Sequence, residues 1–518
     1  MFVRVFNKTI AYRFIIVKDG TFKVEEKSSI YPASDNSYFY FPNGEYEPIG
    51  NKTLADLNKK KKYFTPVVWN DDRQYIKLHE ASVHNYPEMK IGVDKKSQFI
   101  YLYSGEALFE NNAELPWRIL SFADDWAELH NSKYISYNLS KPSEGDFSWV
   151  KPGLSSWDWR VRGCSFDGFR YELNTESLKR FIDFSSRNGI DYFLIDAHWY
   201  EDDNPLLPVK SVDIKEVINY GNNNNVGIWL YYDLGYTKKS GKEVDFEKIA
   251  KTYSGWGAKG IKYGFLGAIG TKYTPQGKVS KTEEVIKIAG KYKLMIDFHD
   301  NPIPFSGLER TYPNYLSREY CHAQMDRRTA FSPSGFVKMA CINLLAGAID
   351  QTNGIYELNK IKERERGPKN DYNSTIASEN ARVLVTHTGH LTVLIDAPEA
   401  YENKSEMFDF IKQLPKCWDE SRYLDMDFNS HVTVARRNVD TWFLGTVYNE
   451  NGGKQKLKLD FLDDNVQYEV TLYKDSPNSH YVNNKEEYEI VKTFVSSKSV
   501  LSVDIAPGGG YSAIFRKI

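Results

Sequence analysis

The protein has 518 residues, of which 67 are basic and 69 acidic, giving a formal net charge of −2. This length allows two or three domains with separate hydrophobic cores. The balanced charge excludes a global field that would favour nucleic acid or an anionic membrane. The basic run Lys59–Lys62 is therefore interpreted as a solvated turn.

Residues 1–150 are predicted to form a β domain. Short alternating runs such as Ala11–Val17 and Gln98–Tyr103 are separated by turns rich in Asn, Gly, Asp and Pro. Residues 416–518 follow the same pattern, for example in His431–Arg436. We expect an antiparallel β-sandwich at each end of the chain.

Residues 151–415 differ, because buried-strand candidates alternate there with helical stretches. Eight such units in about 250 residues predict a (β/α)8 barrel. A doubly wound open sheet is the alternative, but no GxGxxG follows the first strand. The predicted strands are Ser156–Trp159, Tyr192–Asp196, Gly227–Asp233, Gly260–Phe265, Leu294–Phe298, Tyr315–Glu319, a short one near Asp350, and Leu391–Asp396.

Several of these strands end in residues that can carry chemistry. Clustered carboxylates can activate water and protonate a leaving oxygen in glycoside cleavage, and they can equally bind Ca²⁺. For a single Asp a loop or helix-capping role is the alternative, and we favour it for Asp297 and Asp396. If the strands are parallel, the following residues lie near one rim: Trp159, Asp196, Asp233, Gly264, Asp300, Glu319 and Asp396, with His198 and His299 beside them.

Other features leave the function open or exclude a class. Aromatic residues make up 15% of the chain, and their rings suit sugar faces and β-sandwich cores equally well. Four widely spaced cysteines suggest neither a zinc site nor a disulfide framework. No segment has the ~20 apolar residues of a membrane span, and no signal peptide is predicted after Met1.

The segment Asp297–Asn314, DFHDNPIPFSGLERTYPN, carries a family resemblance together with other motifs. The chain resembles glycoside hydrolase family 97, whose α-glucosidases and α-galactosidases have a (β/α)8 barrel between two β domains. The amino-terminal domain looks short against the large sandwich of that family. The other matching segments are Thr65–Trp69, Leu78–Ser82, Asn85–Pro87, Pro116–Arg118, Lys151–Gly153, Trp157–Trp159, Ile195–Asp196, Trp199–Tyr200 and Gly260–Lys262.

The resemblance implies a stereochemical branch. Retaining members have an Asp nucleophile at the end of the fourth strand, whereas inverting members have Gly there. Gly264 occupies that position, so the chain resembles the inverting branch, with Asp233 and Asp300 aligned with the water-activating pair. Both are Asp where the family has Glu, which matters because inverting carboxyl groups lie about 6.5–9.5 Å apart.

The resemblance also implies a metal and a sugar pocket. Glu80, Asp300 and Glu319 match the ligands of one Ca²⁺. Asp196 and His198 join the substrate-binding candidates from their strand-end positions. The residues that match pocket-lining positions are Trp159, Lys262, His299 and Arg310.

One position departs from the family pattern. The family has its general acid, a Glu, six residues after the position of Glu319, and this chain has Met325 there. A thioether cannot donate a proton. Asp326 is the first replacement candidate and Glu319 the second; His322 is a weaker one.

The sequence thus predicts an exo-acting, Ca²⁺-dependent α-glycoside hydrolase of the α-glucosidase or α-galactosidase type that inverts configuration. The alternative is a catalytically degenerate carbohydrate-binding protein on the same scaffold. A retaining enzyme is a third hypothesis, but Gly264 supplies no nucleophile. We expect a small carbohydrate or glycoside as substrate, no nucleic-acid partner, a homodimer as the assembly to test, and, from the family, a periplasmic or secreted location.

Overall fold

The computed structural model describes most of the chain. Among the residues singled out above, Asp300, His322, Met325 and Asp326 lie outside the described residues. The described residues are 1–34, 36–44, 46–71, 74–96, 98–235, 244–264, 273–299, 306–321, 331–359, 372–386, 388 and 391–518.

The amino-terminal part folds into antiparallel β structure, followed by helices Trp126–Asn131 and Ile135–Leu139. The largest sheet has the strand order Phe2–Phe6, Thr9–Arg13, Trp117–Ala123, Tyr75–Ala81, Val67–Asn70, Tyr38–Asn43 and Tyr46–Lys52. Phe39, Trp69 and Ile91 belong to the buried core between this sheet and a smaller one. The smaller sheets are Lys90–Asp94, Phe99–Tyr103 and Ser29–Ile30; Phe22–Val24 with Ala107–Phe109; and Ile15–Ile16 with Ala113–Glu114.

The middle of the chain forms a parallel barrel, as predicted. The segment near Asp350 serves as the seventh strand, because the Asp350 N–H donates to the Arg318 carbonyl at 2.7 Å and Asn353 pairs in parallel with Leu394. This segment joins the two edges of the parallel sheet and excludes the open-sheet alternative. Strands one to six are Gly153–Trp157, Tyr192–Ile195, Gly227–Asp233, Gly260–Gly264, Met295–Phe298 and Tyr315–Arg318, and strand eight is Leu391–Leu394.

Helices cover the outside of the barrel. Ile228, Ile261 and Ile296 alternate with inward-facing residues and pack in the core between strands and helices. The loops after strands one and two each contain a pair of short antiparallel strands. These pairs are Ser165–Phe166 with Phe169–Arg170 and Tyr200–Glu201 with Asn204–Pro208. The helices are Thr175–Arg187, Ile214–Asn223, Phe246–Trp256, Pro275–Lys291, Pro333–Ile342, Ile376–Val385, Pro398–Glu402 and Ser405–Lys412, with 3₁₀ turns at Leu308–Arg310 and Asn343–Ala346.

The carboxyl-terminal part is a second antiparallel β domain. Helix Ile376–Val385 is buried along its whole length, because it packs against strands Thr441–Tyr448 and Gly510–Lys517. The barrel and this domain therefore share a core. The main sheet has the order Glu420–Asp427, His431–Asn438, Thr441–Tyr448, Gly510–Lys517, Gln467–Asp475 and Tyr488–Ser496, and Gly453–Lys458 pairs with Val500–Ile505.

Glycines in strand four make room for aromatic residues of strand three. A Cβ on Gly260 would lie 2.5 Å from two carbons of the Trp229 indole. Strand three pairs with strand four so that Trp229 is opposite Gly260 and Asp233 is opposite Gly264. The large inward side chains of one strand thus fill space left by the next.

Asp396, which follows strand eight, has a structural role. Its carboxylate pairs with Arg160 and accepts N–H bonds from Tyr356 and Glu357 at 2.9 and 2.8 Å. Burial alone would lower the pKa of Arg160, but the Asp396 charge together with the Tyr372 charge and hydrogen bond raises it. Asp396 therefore holds the end of strand eight to the loop after strand one.

Asp396→Ala leaves the buried Arg160 guanidinium without its counter-charge. We expect a loss of about 3–5 kcal/mol in the free energy of unfolding, measured by denaturant titration. Asp409→Ala, which removes the exposed partner of Lys412, is the control and costs at most about 1 kcal/mol. Equal losses in the two variants would contradict the role assigned to Asp396.

Candidate active site

A buried lysine stands at the centre of the polar residues inside the barrel. Lys262, from strand four, has no exposed surface. Its Nζ lies 3.2 Å from Asp297 Oδ2 and contacts Asp350 Oδ2. The same nitrogen lies 3.2 Å from Glu319 Oε1 and 4.7 Å from the centroid of the Trp157 ring. Four strands therefore direct side chains at one ammonium group.

Asp297 and Asp350 share one negative charge beside Lys262. Burial, followed by the Asp350 charge, raises the pKa of Asp297 well above its ordinary value. For Asp350 burial acts in the same direction, but the Lys262 charge and a hydrogen bond with Asp297 outweigh it and lower the pKa. Of the two carboxyl groups, Asp297 is therefore the one that keeps a proton to higher pH, and Asp350 is the one that ionises first.

The charge of Lys262 is fixed by these neighbours. Burial alone would lower its pKa, but the charges of Asp297, Asp350 and Glu319 raise it well above its ordinary value. Lys262 is consequently a permanent cation and not a proton donor at neutral pH. It can stabilise negative charge that develops nearby.

Glu319 and His299 lie next to each other at the carboxyl ends of strands six and five. His299 Nε2 is 3.7 Å from Glu319 Oε2, and the His299 side chain keeps 23% of its surface exposed. The His299 ring meets Tyr231 edge-on, with centroids 5.3 Å apart. This links strands three, five and six at the open end of the barrel.

Asp233 ends strand three and is almost fully buried. Its Oδ1 accepts the N–H of Gly235 at 2.6 Å, and its own N–H donates to the Tyr200 hydroxyl at 2.9 Å. These contacts fix the direction of the carboxylate, as a general base requires.

The end of strand four is closely packed against Tyr231 of strand three. A Cβ built on Gly264 would overlap the Tyr231 hydroxyl and lie 2.8 Å from Tyr231 Cζ. Tyr231 thus occupies the space into which a side chain at residue 264 would extend.

Trp159 and Asp196 lie at the ends of strands one and two. Trp159 stacks on Trp157 with centroids 5.1 Å apart. Asp158 accepts the Asp196 N–H at 2.9 Å, and Arg162 donates to the Asp196 carbonyl at 2.9 Å. Burial raises the pKa of the Asp196 carboxyl, while the Arg162 charge opposes this.

Two predicted substrate-binding residues are not part of the buried group. His198 exposes 54% of its side chain, and its Nδ1 lies 3.8 Å from Asp202. Arg310 donates to the carbonyls of Tyr137 and Ser140 at 2.8 and 3.3 Å.

The position of Arg310 corrects the sequence prediction. Arg310 precedes strand six by only five residues, so the chain has already returned to the amino end of the barrel. That end is opposite the one where barrel enzymes keep their active sites. Arg310 lines a separate cavity of about 1050 Å³ between the amino-terminal domain and the barrel.

The interpretation of Asp297 as a capping residue was wrong. Strand five, Met295–Phe298, directs Met295 and Asp297 inward, and Asp297 is fully buried beside Lys262. Two-residue alternation within the strand was the signal that could have shown this. Asp350 was missed as a site residue because its segment lacks a clear apolar run.

The described residues do not by themselves form a calcium site. Glu80 accepts the Met89 N–H at 2.8 Å through Oε1 and Arg118 Nη1 at 2.6 Å through Oε2. Burial raises the pKa of Glu80 to about 7 against the opposing Arg118 charge. Glu319 faces Lys262, and Asp300 lies outside the described residues. Among the residues described, no three His, Cys, Asp or Glu side chains are grouped to hold a metal.

Three family models match the chain in order. They are the glycosyl-hydrolase 97 N-terminal model over residues 1–142, the glycoside hydrolase 97 model over 157–321, and the glycosyl-hydrolase 97 C-terminal, oligomerisation model over 417–516. The last description names oligomerisation, and a homodimer of this chain stays a prediction.

Curated relatives and solved structures agree with these models. A retaining alpha-galactosidase of Bacteroides thetaiotaomicron is 28% identical over 98% of this chain and 82% of its own. A probable retaining alpha-galactosidase of Streptomyces bingchenggensis is 22% identical over 99% of this chain and 76% of its own. The structure of a glycoside hydrolase family 97 enzyme with acarbose, from Pseudoalteromonas sp. strain K8, superimposes with a TM-score of 0.86, at 23% identity, over 100% of this chain and 85% of that one.

The barrel between two β domains, its strand-end carboxylates and these matches define a glycoside hydrolase. The chain belongs to glycoside hydrolase family 97. Among the described residues, no helix is long and apolar enough to cross a membrane. The periplasmic or secreted location stays a prediction.

The variants Asp297→Asn and Asp350→Asn test which carboxyl group of the pair carries the proton. Asn at 297 replaces a neutral, protonated group that donates to Asp350, so we expect the thermal unfolding temperature at pH 7 to stay close to that of the wild type. Asn at 350 removes the ionised partner of Lys262 and costs roughly 1–3 kcal/mol. The reverse order of stability would contradict the proposed position of the proton.

Proposed function

We propose that this glycoside hydrolase removes terminal α-linked sugars from small glycosides, with an α-galactoside or an α-glucoside as substrate. The observation that carries the proposal is that Asp233, His299 and Glu319 stand at the carboxyl ends of three parallel barrel strands. Glu319 lies 3.7 Å from His299 and 3.2 Å from the ammonium of buried Lys262. The names of the two relatives support an α-galactoside in particular.

In the proposed reaction Asp233, with Asp300, acts as general base for the attacking water. The Gly235 N–H fixes the direction of the Asp233 carboxylate. Asp326 is proposed to protonate the leaving oxygen, with Glu319 as the second candidate. Trp159 is proposed to pack against the sugar ring, while Asp196, Lys262 and His299 bind its hydroxyl groups.

Inversion of configuration is the stereochemical part of the proposal. A retaining mechanism needs a nucleophilic carboxylate about 5–5.5 Å from the acid. At the end of strand four, Gly264 has no side chain, and Tyr231 fills the adjacent space. This supports direct attack by water, although both relatives are named as retaining.

Calcium enters the proposal through the family resemblance alone. When bound, a calcium ion would act as a Lewis acid beside the reacting centre. The ion pair between Glu80 and Arg118 is an obstacle to this ligand set, so calcium dependence is a separate arm of the experiment.

A catalytically degenerate carbohydrate-binding protein is the second candidate. Met325 favours it, because the general acid of the family is absent at that position. The two candidates differ in the role of Asp233. In an enzyme it is needed for turnover, whereas in a binding protein it contributes only to affinity.

Hydrolysis of 4-nitrophenyl α-galactoside and α-glucoside tests the proposal, with proton NMR identifying the first anomer released. We expect the β-anomer, and we expect Asp233→Asn to reduce kcat about 10²–10⁴-fold as loss of a general base does. Asp202→Asn, at an exposed position, is the matched control and keeps wild-type activity. Parallel assays with calcium and with chelator measure calcium dependence.

Other outcomes each point to a defined revision. Release of the α-anomer would contradict inversion and require a nucleophile other than residue 264. Absence of turnover on both aryl glycosides, with sugar binding retained in calorimetry, would replace the enzyme by the binding protein. Unchanged rates in chelator would remove calcium from the proposal.

A further inference from the structure

Two lysines are buried where the amino-terminal sheet, the following helices and the carboxyl-terminal domain meet. Lys77, on strand Tyr75–Ala81, and Lys133, between the two helices of the amino-terminal part, are 3% and 7% exposed. Lys77 Nζ donates to Ser132 Oγ at 3.3 Å, and Lys133 Nζ donates to the Tyr423 hydroxyl at 3.2 Å. Neither ammonium forms an ion pair within the described chain.

Among the described residues, the charged group that neighbours this lysine pair is the Arg436 guanidinium. Arg436, also buried, donates to the Leu384 carbonyl at 3.1 Å and to Ser421 Oγ at 3.0 Å. His130 donates from Nε2 to the Cys341 carbonyl at 2.8 Å. The titratable and charged groups that face the pair are His79, His130, Tyr134, Tyr423 and Arg436.

The electrostatic balance at the pair is unfavourable for two ammonium ions. Burial, followed by the charge of Lys133, lowers the pKa of Lys77 to about 7. Burial, followed by the charge of Arg436, lowers the pKa of Lys133 to about 7, while Tyr134 opposes this weakly. Within the described part of the chain, no carboxylate counteracts burial at either lysine.

Lysines this deeply buried are rare unless a counter-charge accompanies them. An unpaired ion in a protein interior costs several kcal/mol. Buried lysines avoid this cost by pairing with an opposite charge or by losing the proton. Lys262 in the same chain has three carboxyl groups around its ammonium. In the described ranges the lysine pair therefore lacks the carboxylate counter-charge that Lys262 has.

We propose that a small inorganic anion, of the size of a halide, binds between the Lys77 and Lys133 ammonium groups. The Tyr423 hydroxyl accepts from Lys133 and can donate its own hydrogen to the ion. Ser132 is only partly buried and Tyr134 is exposed, so the residues on either side of Lys133 in the chain are in contact with solvent. The bound ion connects the amino-terminal sheet to the carboxyl-terminal domain through Tyr423.

The proposal predicts a specific dependence of stability on the anion. A ligand that binds only the folded state raises the unfolding temperature progressively with its concentration. With the whole chain at pH 6 and constant ionic strength, replacing sodium gluconate by sodium chloride should raise the unfolding temperature. Lys77→Met and Lys133→Met should abolish this response, whereas Lys60→Met, at an exposed position, should retain it.

The same variants have a second signature without halide. Each Met variant should be more stable than the wild type in gluconate at pH 6, because it removes an uncompensated buried charge. Wild-type stability in gluconate should rise between pH 7 and about 10.5, because the unfolded lysines bind more protons than the folded ones in that window. Chloride should flatten this rise.

Equal unfolding temperatures in chloride and gluconate would overturn the proposal and leave the pair as neutral lysines. A response to phosphate or sulfate without one to chloride would overturn the halide-sized site. If the Met variants do not fold, bromide-soaked crystals of the wild type decide the question by anomalous scattering. A bromide peak within hydrogen-bond distance of both Nζ atoms supports the site, and its absence at the pair overturns it.

Discussion

The buried ammonium of Lys262 is the interaction on which the active site depends. Carboxyl groups from strands five, six and seven approach it to within hydrogen-bond or ion-pair distance. Without that positive charge, the carboxyl groups of Asp297, Asp350 and Glu319 would lack their shared counter-charge. One lysine on strand four thus makes a polar interior possible in a barrel that is otherwise packed with apolar residues.

Strand four shapes the site through two glycines as well as through Lys262. Gly260 and Gly264 flank the lysine at two-residue spacing, so all three face inward. The glycines accept the bulk of Trp229 and Tyr231 from strand three. Tyr231 in turn meets His299, which contacts Glu319. The packing of two neighbouring strands therefore sets the space at the end of strand four and the position of Tyr231 beside His299.

Much of the fold could be predicted from the sequence, because buried parallel strands are short apolar runs bounded by turn residues. Strand three was predicted with its observed bounds, and five others differ from observation by one or two residues at one end. Asp233, Glu319 and His299 followed from their places at strand ends. Arg310 did not, since a motif shows which residues are grouped in sequence but not at which end of the barrel a loop holds them.

Other parts of the site could not be predicted from the sequence pattern. The proton between Asp297 and Asp350 depends on the depth of burial and on a partner 53 residues away along the chain. The ion pair between Glu80 and Arg118 likewise had no signal in the sequence, because it forms between two neighbouring strands of the amino-terminal sheet. Long-range pairs of this kind are set by tertiary structure and not by local pattern.

The most direct test of the account is the protonation state of Asp297 at neutral pH. Infrared difference spectroscopy between the wild type and Asp297→Asn reports the carbonyl stretch of a protonated carboxylic acid. The account predicts that this band is present in the wild type at pH 7 and absent from the variant. Absence of the band from the wild type would mean that both carboxyl groups are ionised, which would contradict the charge balance assigned to Lys262 and its partners.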